Sequence, residues 1–172
     1  MPQPTKRDLA SIERSARAVA ATFGLSAARD AEIPTTWALT GTWAKRSLLL
    51  HIGAPRLADG FLRSKIVRFL QLQAAGTTWL PPGTELRPAR RTVFEWRDGL
   101  PGETPDFTEN GTGYVLRPSS HVTRVRAAVR SMPAAGWVTV DSAGLELRAD
   151  WCGDEELLAL VSGLLEWDAF WA

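Results

Sequence analysis

The chain is 172 residues long, 45% hydrophobic and 23% charged, with a formal net charge of +1. That length and balance suit one domain with its own core and argue against a disordered chain. The near-zero charge argues against a dedicated polyanion binder, and a lone cysteine, Cys152, rules out an internal disulfide and a cysteine-based metal cluster while suiting a reducing cytoplasm.

Residues 1–7 lack the apolar core of a signal peptide. The first predicted element follows at once. Leu9, Ile12, Ala16, Val19 and Phe23 recur at helical spacing, Thr5 and Asp8 form a capping pair, and Gly24 supplies the left-handed stop. Beyond Pro34 the period changes to two. Trp37, Leu39, Gly41 and Trp43 fall on one side of a strand; Leu48, Leu50 and Ile52 then alternate with Leu49 and His51, which predicts a hairpin through 44–46 although no Asn-Gly or Asp-Gly pair marks the turn.

Residues 57–75 fit both periods; 65–73 is read as strand because its neighbours are β-like. Pro81-Pro82-Gly83 is a turn, Arg91–Arg97 reads as a strand, and residues 100–113, rich in Pro and Gly, read as a surface loop. A short strand at Tyr114–Leu116 precedes a second helix near 120–132, whose buried stripe is Val122, Val125, Val129 and Met132. A hairpin joins Trp137–Val140 to Leu145–Trp151 through Asp141–Gly144, with Leu145, Leu147, Ala149 and Trp151 on one side and Glu146, Arg148 and Asp150 on the other. Asp154 opens the last helix, near 154–170; its apolar run Leu157–Leu165 is too short to span a bilayer.

Strands grouped apart from helices predict an α+β fold: a single domain, 1–172, with a mainly antiparallel twisted sheet and helices packed on one face. The eight tryptophans are too costly to be incidental, since each ring needs a core, an interface or a ligand to cover it. Trp37, Trp43, Trp96, Trp137 and Trp151 read as sheet-side core, and Trp79 as open to either reading.

Catalytic chemistry finds little support. His51 and His121 carry no local motif, no nucleophile elbow or phosphate-binding glycine pattern occurs, and carboxylates 154–156 oppose a thiolate at Cys152. Asp106–Gly111 imitates the opening of a calcium loop, but Arg117 stands where that loop needs its glutamate, so an ordinary Asn-Gly turn is expected. No catalytic residue, cofactor or metal ligand is therefore assigned. Scarce Lys and Asn beside abundant Arg, Ala, Gly and Pro match a bacterial, GC-rich coding bias.

Two features carry functional expectations. Trp167, Phe170 and Trp171 crowd the C-terminal helix and ask to be covered by the core, by a protein partner or by a second copy. Arg87, Arg90, Arg91 and Arg97 interleave with Phe94 and Trp96, the composition of an anion or single-stranded nucleic-acid contact. The expected function is a non-catalytic protein–protein interaction or adaptor module of a bacterial, cytoplasmic system. The alternatives are a small apolar ligand held in a Trp-lined pocket and weak nucleic-acid binding through the Arg/aromatic strand.

Overall fold

The computed structural model describes residues 5–53, 68–89, 104–130, 136–150, 154–166 and 171. The N-terminal stripe folds as α1, Lys6–Phe23, with Ile12, Ala16, Val19, Ala20 and Phe23 buried. Its start is a reciprocal capping box. The Asp8 N–H donates to the Thr5 hydroxyl oxygen at 3.2 Å and the Thr5 N–H donates to the Asp8 carboxylate at 2.9 Å, satisfying two otherwise unpaired donors.

The strands are β1 (Ser26–Arg29), β2 (Thr36–Trp43), β3 (Arg46–Gly53), β4 (Phe69–Ala75), β5 (Glu85–Pro88), β6 (Phe107–Glu109), β7 (Thr112–Arg117), β8 (Gly136–Val140) and β9 (Gly144–Asp150). They form one sheet in the order β1-β2-β3-β4-β9-β8-β5-β7-β6, with antiparallel pairing throughout. A single-turn 3₁₀ segment at Ser119–His121 leads into α2 (Val122–Val129), and α3 spans Asp154–Glu166. The fold is α+β, as the element pattern predicts.

The register explains the core. Leu39, Leu50, Leu72, Leu147, Val138, Leu86 and Leu116 pair in succession across β2, β3, β4, β9, β8, β5 and β7. Directly paired residues point to the same face, so this is one apolar row, and no member is more than 2% exposed. The helices lie over it: α1 on β1–β3 and against α3, α3 on β4, α2 on β6. The Ser15 hydroxyl donates to the Asp154 carboxylate, which ties α1 to the first residue of α3. The buried side chains of α1, α2 and α3 join the sheet residues in one cluster.

Several expectations need correction. Within 100–113, Phe107–Glu109 pairs with Thr112–Tyr114 around an Asn110-Gly111 turn, and Phe107 is buried, so the segment includes a strand rather than being surface loop throughout. Pro and Gly content masked a hairpin too short to show a period. Of the 65–73 strand, residues 65–67 lie outside the described residues and 69–73 forms part of β4, with Leu70 and Leu72 facing the core and Gln71 and Gln73 the other side. Helix α2 spans Val122–Val129, and positions 131 and 132 of the expected helix lie outside the described residues. Trp137 is not core: it is 45% exposed, because Val138 and Val140 take the buried phase of β8. The Arg91–Arg97 strand, Trp96 and Trp151 lie outside the described residues.

The β2–β3 hairpin shows how an unmarked turn forms. Ala44 and Lys45 have φ of 45° and 67°, the two positive values that a type I′ turn requires. Neither residue favours that region, and the long apolar register on both sides holds them there. Replacing the pair by Asn-Gly is expected to raise stability by about 1 kcal/mol, read as a higher urea midpoint with unchanged slope; no rise would mean the turn is not I′ in solution.

Candidate functional site

The face of the sheet opposite the helices is polar. One row runs Ala38, His51, Gln71, Arg148, Trp137 across β2, β3, β4, β9 and β8; the next runs Thr40, Leu49, Gln73, Glu146, Thr139, Glu85 and reaches Arg117 on β7. With strands about 4.8 Å apart, His51 lies about 14 Å from Trp137. The β5–β8 register pairs Leu86 with Val138, so its continuation sets Arg87 level with Trp137. An exposed indole thus sits between two arginine positions. Toward β7 the face closes: Val115, opposite Arg87, is 1% exposed.

Glu146 anchors this face. Its Oε2 accepts from Gln73 at 2.8 Å and Gln71 at 3.1 Å, and its Oε1 accepts from Arg148 Nε. Burial would raise its pKa, but the hydrogen bonds from Gln73, Gln71 and Arg148 outweigh burial and hold the carboxyl below its ordinary value. A depressed carboxylate stabilises the fold fully above its unfolded pKa, and the contribution is lost as pH falls through the lower folded value. The Tm difference between wild type and Glu146→Gln is therefore expected to shrink as pH drops below 4.5, the ordinary value. A difference that stays constant from neutral pH to pH 3 would remove Glu146 from that role.

At the far end of the row, His51 Nε2 lies 3.7 Å from the Asp30 carboxylate. Asp30 accepts the Ile33 and Glu32 N–H groups at 2.9 and 2.8 Å, and these bonds lower its pKa ahead of the smaller effect of His51. They also shape the turn that carries Ile33, with Trp137 the other exposed large apolar side chain among the described residues. The register neighbours of His51 are Ala38 and Gln71, which bring it no nucleophile.

The predicted site residues are placed as follows. Trp171 is 6% exposed. It bridges to Thr78, its ring lies against Gly76, and the Arg46 guanidinium covers it at 4.3 Å. The chain's own residues therefore cover this ring. Trp167 and Phe170 lie outside the described residues, as do Arg90, Arg91 and Arg97. Arg87 sits on β5, 3.3 Å from Glu85. Sequence reading missed Trp137, Arg148, Gln71 and His51 as a group. The readable signal was the phase of Trp137 against Val138 and Val140.

Other arginines pack on aromatic rings or pair with a carboxylate. Arg17 and Arg29 lie 5.1 and 5.7 Å from the Trp37 ring, and Arg124 lies 3.9 Å from Trp79, which also meets His121 edge-on. Arg126 and Arg130 both donate to Glu109. Trp43 packs edge-on against Phe23. A depression of about 310 Å³ lies beside β3, β4 and the β8–β9 turn, lined by residues such as Ser47, Gln73, Asp141 and Glu146 and, among the described residues, by no tryptophan. Among the described residues, no group of three metal-ligating side chains converges and no helix is long and apolar enough to cross a membrane. No protein-family model, curated protein or solved structure matches the chain.

Proposed function

We propose that the chain is a non-catalytic protein-interaction module, an adaptor that docks a protein partner on the open face of its sheet. The carrying observation is Trp137, 45% exposed and flanked in the register by Arg148. Trp and Arg dominate the energetic centres of protein interfaces, because a flat ring and a planar fork bury much area with few rotatable bonds. Glu146 and Glu85 in the adjoining row favour a protein over a phosphate polymer, which would meet carboxylates along this face.

A photoreactive amino acid at Thr139, on the same face as Trp137, is expected to give one discrete protein adduct in the native host. Trp137→Ala should weaken that association at least about tenfold. Adducts that form equally from Glu32, or that ignore Trp137→Ala, would remove the open face as the docking surface.

A further inference from the structure

We infer that the partner segment is acidic, presenting a carboxylate to the outer edge of Arg148 beside an apolar side chain that covers Trp137; this rests on the docking role proposed for the open face. Two of the ion pairs on this face are layered. Arg148 is 63% exposed over Glu146 at 19%, and Arg117 is 57% exposed over Asp106 at 24%. At Arg148 and Arg117 the outer group is guanidinium and the inner one carboxylate, whereas in the Arg87–Glu85 pair the carboxylate is the more exposed partner, 36% against 28%. On the β9 side of Trp137, what an approaching chain meets first is the Arg148 guanidinium.

The hydrogen bonds sharpen this. Arg148 donates to Glu146 through Nε, which leaves the Nη1–Nη2 edge as a planar fork suited to a bidentate carboxylate. Glu146 already accepts from Gln71, Gln73 and Arg148. An incoming lysine would have to reach it past those donors. A phosphate polymer running along the row would meet both Glu146 and Glu85, whereas a peptide needs to place only one anion against the fork. Trp137, paired with Arg148 across β8 and β9, gives the neighbouring side chain an apolar platform.

The test is selection from a displayed library of random peptides on the full chain, with Trp137→Ala, Arg148→Gln and Arg148→Glu as parallel baits. The wild type is expected to enrich peptides with Asp or Glu beside a large apolar residue. The synthesised consensus peptide should bind Arg148→Gln about tenfold more weakly. Arg148→Glu should select Lys or Arg instead, an inversion that a structural role for Arg148 would not produce. If charge reversal prevents folding, Arg148→Gln alone carries the comparison.

Peptides that depend on Trp137 but are neutral or basic would overturn the acidic partner and leave the docking face standing. No enrichment, or enrichment indifferent to Trp137→Ala, would overturn the docking face itself. A single-stranded oligonucleotide that displaces the consensus peptide at equal affinity would overturn the protein partner.

Discussion

Leu147→Ala is expected to cost the fold about 3–4 kcal/mol, the range for a fully buried leucine in a core that cannot collapse around the void. Leu147 is 0% exposed and stands in the middle of the apolar row, paired with Leu72 on β4 and Val138 on β8. Its strand joins the two halves of the sheet: β1–β4 on one side, β8, β5, β7 and β6 on the other. Truncation here removes contacts from both halves at once, and neither backbone ladder can move inward without breaking register. Leu49→Ala is the control. Leu49 lies on the opposite, half-exposed face, so its loss should stay under about 1 kcal/mol. Urea unfolding measures both; equal costs would mean that the row is not the core.

Much of this fold was legible because long elements carry a period. Helix α1 declared itself through its stripe and capping box, and the β2–β3 and β8–β9 hairpins through apolar alternation. The strands that escaped notice, β1, β5 and β6, have three or four residues each. Ser26–Arg29 pairs with β2 along its backbone and leaves most of its side chains exposed, and backbone pairing leaves no mark in composition. Trp137 departs from its core reading for another reason: the valines at 138 and 140 take the core side of β8 and leave the ring on the other phase.

The candidate site was less legible than the fold. Arg87 stood out, but only among arginines near it in sequence. The open face instead gathers side chains from distant strands; Gln71 and Glu146, joined by a hydrogen bond, are separated by 75 positions. No window of sequence spans that distance, and only the antiparallel register of β4 with β9 brings the two together. The C-terminal rings show the converse. Trp171 drew attention as a partner contact because chain ends fray, yet Arg46 and Gly76 cover it from within.

Gly144→Ala is expected to destabilise the protein by about 3 kcal/mol or more, through overlap rather than through lost burial. Gly144 opens β9 opposite Ala75, and a Cβ there would fall 2.1 Å from the Ala74 carbonyl oxygen. That oxygen belongs to the backbone of β4 and has no rotamer to escape into, so the strands must part. The turn cannot absorb the shift cheaply either. The Gly144 N–H donates to the Asp141 carboxylate at 2.9 Å, and the Gly144 carbonyl accepts the Asp141 N–H at 3.0 Å. Gly83→Ala separates the causes: Gly83 has a φ of 89° and open space around its Cβ position, so only conformational strain of about 1 kcal/mol applies. Parting β9 from β4 would also pull Glu146 from Gln71 and Gln73 and tilt Arg148 away from its row. Gly144→Ala should therefore lower affinity for the proposed partner even in the fraction that stays folded, whereas Gly83→Ala should leave that affinity unchanged. Equal stability losses in the two variants would show that β4 and β9 do not approach as closely in solution as their register requires.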